Sequence, residues 1–311
     1  MDEETKETTG AAHTEIRRVA VGVDGSEHAR HAALWAAREA EIRGVPLLLM
    51  HAIDLPKTSV PPIEPADVAE RAQQAGSELV TAAAAEIARA FPGLAVEAET
   101  SPHAPVAPLT ELSEGGDLIV TGTRGRGGIA GKLLGSVSRE LASHASGPLV
   151  VVRGAAPETA NGPVLLGLGT NPAESGIEYA FAAARRYGTP LRVVRTWTPP
   201  MPLAGLAAPG ASTIGLGGLG AFTGPQALDS ESDEAEAAQR AVGAVRLRYQ
   251  DVDAEIEAPL GDAVPVLTEM AVGARLIVVG AHRRRGPFAV GAGHVIEGLL
   301  SHSPVPVAVV P

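Results

Sequence analysis

The sequence predicts two α/β domains in tandem, each a five-stranded parallel sheet flanked by helices, and three observations carry that expectation. Short apolar runs rich in Val, Ile and Leu alternate with stretches of helical spacing, the order that makes parallel neighbours joined by crossover connections. The same order of runs occurs twice in 311 residues, a length that favours two domains. Apolar residues make up 45% of the chain but aromatic residues only 3%. The cores must therefore be built from Ala, Val, Leu and Ile, the usual filling of a parallel sheet covered on both faces.

Residues 1–15 are polar and acidic, without the apolar centre of a signal peptide, and read as a disordered tail. A first domain is expected at 16–155. Arg18-Val19-Ala20-Val21-Gly22-Val23-Asp24 reads as a buried strand ending on an acid, with Gly25-Ser26 as its turn. Ala29, Ala32, Ala33, Ala36 and Ala37 recur at helical spacing, with Leu34 and Trp35 adding apolar area, until Gly44 stops the helix. A second strand is expected at 46–53, and beyond a Pro-rich loop a long helix at 66–89. Then come a strand at 94–99 and a helix at 106–114. Leu118-Ile119-Val120 makes the fourth strand and Pro148-Leu149-Val150-Val151-Val152 the fifth.

The second domain, expected at 162–311, repeats the plan. Val164-Leu165-Leu166-Gly167-Leu168-Gly169 corresponds to the first strand and Leu191-Arg192-Val193-Val194-Arg195 to the second. Arg275-Leu276-Ile277-Val278-Val279-Gly280 corresponds to 117–122, and Pro306-Val307-Ala308-Val309-Val310 to the last strand. Ser143-His144 returns as Ser301-His302. Two units of this length are two domains, not a solenoid, because each closes its own core. The uncharged stretch 198–228 contains Pro199, Pro200, Pro202, Pro209 and Pro225 among many glycines. That composition disfavours a membrane-spanning helix and reads as a loop, either a lid or, more simply, a tolerated insertion.

Chemistry concentrates in residues 117–138. After the fourth strand the chain breaks into Gly122, Gly125, Gly127 and Gly128, and after Gly131 and Gly135 comes Ser136, a good N-cap for the helical run that follows. Glycines allow positive φ and close approach to the backbone. Strand, glycine loop and helix start together surround one concavity with N–H groups and the positive end of a helix dipole, which suits a phosphate chain. Gly125-Arg126-Gly127-Gly128-Ile129-Ala130 loosely matches the dinucleotide fingerprint but follows the wrong strand. The P-loop fails because Gly131-Lys132 is followed by Leu133. Asp24 and Gly122 each stand at the carboxyl end of a strand, where ligands of such sheets sit. An excess of 36 acidic over 25 basic residues, formally −11, argues against a general nucleic-acid or anionic-membrane binder. Absence of cysteine excludes disulfides, thiol catalysis and cysteine-metal sites. His28 and His31 make at most half a metal site, and Ser136 has no evident His/Asp partner for nucleophilic catalysis.

The spacing Gly122-x2-Gly125-x9-Gly135-Ser136 resembles the ATP-binding motif of the universal stress protein family, and Val21-Gly22-Val23-Asp24-Gly25-Ser26 resembles the family's opening strand and turn. From residue 16 onward, nearly the whole chain is similar to a tandem form of that family. The resemblance implies two Rossmann-like domains that pair through their last strands, Leu149-Val150-Val151-Val152 against Val307-Ala308-Val309-Val310. This would be a pseudo-dimer within one chain, with a further homodimer left open. It implies ATP, with or without Mg2+, as the ligand, and an adenine nucleotide as the partner rather than nucleic acid or membrane. Asp24, presented by the strand through Gly22, would hold the ribose hydroxyls, and the main chain near Ala52 would meet adenine. Gly122 and Gly125 would receive the phosphates in a loop continued by Gly127 and Gly128, and Gly135, Ser136 and Val137 would close the cradle. Arg124 and Arg126 would either add charge or be solvated.

The second half departs from the pattern: Gly169 replaces the acid, Arg283 the second glycine and His294 the serine, while Gly280 and Gly293 persist. One site, in the first half, is the expectation. Arg283-Arg284-Arg285 reads either as a solvated charge run, the simpler reading, or as a lure for an anion of a partner or another nucleotide. The function implied is a cytoplasmic, nucleotide-dependent stress-response protein without efficient catalysis. The alternatives are a slow ATP hydrolase or nucleotidyl-transfer enzyme using the same pocket, or a nucleotide-independent scaffold.

Overall fold

The structure, a computed structural model, describes residues 16–53, 65–125, 134–144, 146–154, 162–198, 225–281 and 293–311. The front half contains β1 (Val19–Gly22), α1 (Glu27–Arg43), β2 (Leu47–Ala52), α2 (Pro65–Ala90), β3 (Val96–Ser101), α3 (Val106–Glu114), β4 (Leu118–Gly122), α4 (Ser136–His144) and β5 (Leu149–Val152). The rear half contains β6 (Val164–Gly167), α5 (Glu174–Tyr187), β7 (Leu191–Val194), α6 (Pro225–Arg248), β8 (Ala254–Glu257), α7 (Ala263–Met270), β9 (Leu276–Gly280), α8 (His294–His302) and β10 (Val307–Val310). The two are tandem α/β units of the same plan.

Among the described residues all strands lie in one ten-stranded sheet, ordered β3-β2-β1-β4-β5-β10-β9-β6-β7-β8. Within each half every pairing is parallel. Between the halves β5 and β10 run antiparallel, with Val307 opposite Val151 and Val309 opposite Leu149. The order reverses between β1 and β4, and again between β6 and β9, so a crevice opens at the carboxyl ends of those strands.

Period-two alternation divides the apolar residues between the two faces of the sheet. Val19, Val21, Leu47, Leu49, Leu118 and Val120 pack with Ala32, Ala33, Ala36 and Ala37 of α1. Ala20, Leu48 and Ile119 point the other way, toward Leu109 of α3 and Leu141 of α4. The alanines let α1 lie close on the sheet. Ser26 caps that helix by accepting from Ala29 N at 3.2 Å, and Gly44 at φ 68° ends it in the left-handed conformation.

Residues 225–228, expected as loop, belong instead to α6, because the fixed φ of Pro225 suits a first helical turn. The rest of that insert, 199–224, and the tail 1–15 lie outside the described residues.

The halves also meet where α1 faces α5. Glu39, only 2% exposed, accepts from Arg43 Nε at 2.6 Å, Arg186 Nη1 at 3.2 Å and Tyr187 Oη at 2.6 Å. Arg43 Nη2 also reaches Tyr179 Oη at 3.3 Å, and the Arg275 guanidinium stacks 3.9 Å from the Tyr187 ring centre. A buried carboxylate is tolerable here because its oxygens are hydrogen-bonded and faced by two guanidinium groups.

Candidate functional site

The site is built on the ends of β1, β2, β4 and β5. Val23 N donates to Met50 O at 2.9 Å, which carries the chain past β1 and sets Asp24, half-buried, at the crevice. Ser26 N donates to Asp24 Oδ1 at 3.0 Å, and Gly25 takes φ 79°, so the carboxylate also shapes the turn into α1. A Cβ on Gly125 would run into Asp24 Oδ2. The acid and the glycine, which are about a hundred residues apart in sequence, are therefore in touch.

The glycines differ in what they do. Gly122 has a negative or extended φ, and a Cβ there would stand 2.7 Å from His28 O, so its bare backbone lets β4 end against the first turn of α1. Neither Gly125 nor Gly135 adopts positive φ either; close approach, rather than left-handed backbone, is what excludes a side chain. Gly22 ends β1 with only an ordinary contact to Leu109, at 3.4 Å. Gly135 N donates to Thr123 O at 2.7 Å, and Gly135 O accepts from Arg139 N at 3.2 Å. Its amide thus pins the neck of the loop instead of facing a ligand. Gly135 takes the cap position, and Ser136 is the first helical residue and exposed, with Val137 half-buried behind it. Gly127 and Gly128, with Arg126 and Lys132, lie outside the described residues.

Ala52 ends β2 opposite Ser101 and lies half-buried on the same sheet edge as Asp24. His51 Nδ1 donates to Val23 O at 2.7 Å, tying the ends of β2 and β1 together. Gly76 of α2 closes over them: a Cβ there would be 3.1 Å from both His51 and Ile53.

Three residues of the site were not singled out from the sequence in these roles. Ser138 of α4 donates to Gly122 O at 2.8 Å and accepts from Thr121 Oγ1 at 3.2 Å, locking α4 to the end of β4. Arg153 follows β5, next to the Thr123 N to Val152 O bond of 3.1 Å, and donates to Ser301 O in the last turn of α8. Burial, then the charge of Arg124, lowers the Arg153 pKa. His28 is lowered as well, by burial first and Arg124 next, with Arg153 also acting on it. Arg124 thus lies close enough to act on both Arg153 and His28. Arg124 Nε is buried with no hydrogen-bond partner among the described residues.

In the rear half, the Leu168 N to Val194 O bond of 2.9 Å matches that of Val23 to Met50, which puts Gly169 at the place of Asp24. Arg195 Nη1 donates to Gly169 O at 2.9 Å while its Nε pairs with Glu234 of α6. Phe91 and Tyr249 accept matching turn bonds from Leu94 and Val252, and Gly76 and Glu234 stand equally far before them in sequence. An ion pair therefore stands beyond the end of β7, where the front half has Gly76 packed on His51 and Ile53. Gly280 ends β9, and Gly293 at φ 87° precedes His294, the first residue of α8. Arg283, Arg284 and Arg285 lie outside the described residues. Among the described residues no group of three His, Asp or Glu side chains is placed to hold a metal ion, and no helix is long and apolar enough to cross a membrane.

The sequence pattern of the universal stress protein family matches residues 15–153 and again 161–311. A universal stress protein of Mycobacterium tuberculosis strain H37Rv is 30% identical over 299 residues, covering 94% of this chain and 96% of that protein. One from Mycolicibacterium smegmatis is 31% identical over 300 residues, with 94% and 96% covered. Among solved structures, a universal stress protein from Archaeoglobus fulgidus superposes with a TM-score of 0.65 at 18% identity, covering 94% of this chain and 95% of that one.

Proposed function

Because the chain belongs to the universal stress protein family, we propose that its front half binds ATP and that the protein acts as a cytoplasmic, nucleotide-dependent regulator in a stress response, without efficient turnover. The observation that carries the reading is the contact between Asp24 and Gly125. It sets a carboxylate, the natural acceptor for both hydroxyls of a ribose, beside the start of the glycine loop. Adenine then lies along the end of β2 at Ala52. The phosphates run past Gly125 toward the N-terminus of α4, where the helix dipole favours negative charge. Gly122 contributes by seating β4 beneath α1, and Gly135 by closing the loop. Mg2+, where present, arrives with the phosphates.

The Arg195–Glu234 pair supports a single site, because nucleotide in the rear half would have to displace it without an acid at Gly169. The halves act as a built-in pair joined through β5 and β10. Calorimetric titration of nucleotide-stripped protein with ATP is expected to saturate at one equivalent. Saturation near two refutes the one-site version, and no binding at millimolar ATP refutes the reading. Steady Mg-dependent hydrolysis that disappears in Asp24→Asn would replace the regulator with an enzyme.

A further inference from the structure

We propose that Arg124, Arg153 and His28 form a cationic subsite for the terminal phosphates, so that the front half prefers nucleoside triphosphates to monophosphates; this rests on the ATP reading above. The three residues come from three elements but meet at one sheet edge. Arg124 follows β4, Arg153 follows β5, and His28 lies in the first turn of α1, whose backbone touches Gly122. The bond from Thr123 N to Val152 O holds the two strand ends together. Arg153 is further fixed by its hydrogen bond to Ser301 O, at the negative end of α8.

The two guanidinium groups repel one another, and the buried Arg124 Nε lacks a partner among the described residues. Both features are costly until an anion enters. Among the charges acting on His28, Glu27 is the carboxylate, and it opposes the two arginines. Neighbouring strands lie about 4.8 Å apart, so the end of β5 stands about 10 Å from that of β1. A triphosphate anchored by its ribose at Asp24 spans that distance; a single phosphate does not. Arg153 also makes the subsite a junction, since a phosphate held there touches a side chain already bonded to the rear half.

The test compares adenosine, AMP and ATP, with inorganic tripolyphosphate as a fourth probe, on the full chain. Wild type is expected to bind ATP at least about tenfold more tightly than AMP, the ratio corresponding to one charge-assisted hydrogen bond. Arg153→Gln and Arg124→Gln should bring ATP down to the level of AMP while leaving AMP and adenosine unchanged, and Arg153→Lys should restore part of the preference. A wild-type protein that binds ATP no better than AMP, or variants that keep the full ratio, overturns the subsite. Failure of every adenine compound while tripolyphosphate binds in wild type and is lost in Arg153→Gln upholds the anion site and sinks the nucleotide reading. Failure of all four probes sinks both.

Discussion

Tyr187 of α5 donates a 2.6 Å hydrogen bond to Glu39 of α1, and this bond crosses from one half of the chain to the other inside the protein. Arg43 and Arg186 bind the second carboxylate oxygen, so Glu39 is held from both halves. Removing one member leaves the others buried without compensation. Tyr187→Phe is expected to lower unfolding free energy by about 1–3 kcal/mol and Glu39→Ala by about 3–5 kcal/mol, both read from urea titrations. A loss below 0.5 kcal/mol, the scatter of ordinary surface changes, would mean that the network does not hold the halves together.

The same network sets the response to alkali. Burial raises the pKa of Tyr187 well above the ordinary 10.0, with Glu39 adding to it, and burial raises Tyr179 too. Raised folded values mean that the stabilisation is complete below the unfolded value of 10.0 and is lost as pH climbs through the folded ones. The near-ultraviolet tyrosinate band of these two residues should therefore appear together with unfolding. In a Tyr249→Phe background, its growth in protein that is still folded, just above pH 10, would contradict their burial.

Gly122 and Gly125 should fail in different ways. A Cβ at Gly125 meets the flexible carboxylate of Asp24 at an exposed position, so Gly125→Ala is expected to displace the acid and weaken ATP binding about tenfold or more, with little change in stability. A Cβ at Gly122 meets backbone of α1, so Gly122→Ala should cost about 1–3 kcal/mol of stability through overpacking. Thermal melts and nucleotide titrations of the two variants, run side by side, separate a site glycine from a packing glycine.

His28 should make nucleotide affinity depend on pH. Burial and then Arg124 hold its pKa below the ordinary 6.5 in the ligand-free protein. Protonation is thus disfavoured in the fold, and its contribution to stability falls as pH drops below 6.5. A bound polyphosphate reverses the balance, so binding takes up a proton and ATP affinity should rise as pH falls through that range. His28→Gln should flatten this rise and leave only the ionisation of the phosphate itself. Equal slopes in wild type and variant would remove His28 from the site.

The strands were legible because Val, Ile and Leu runs need no tertiary information to be recognised, and α3 has the expected bounds, 106–114. The repeat likewise exposed the missing acid at Gly169. Other features depend on which strands become neighbours. Arg153 looks like an ordinary charge after a strand until β5 is placed beside β4. His28 looks like at most half a metal site until Gly122 tucks against its carbonyl. Arg195 follows β7 and Glu234 lies on α6, and only the packing of α6 against α5 and β8 brings them together. For Gly135, the spacing could not show that its amide bonds Thr123 O, because which atom receives an N–H is decided by the fold of the loop.

The antiparallel seam of β5 and β10 leaves β3 and β8 as the outermost strands. Each carries carboxylates, Glu97 and Glu99 on one rim and Glu255 and Glu257 on the other. Acidic rims discourage a foreign strand from docking there, since charged side chains on an edge guard against sheet extension. Among the described residues the inner borders of both units are thus paired with each other, and the outer ones carry charge.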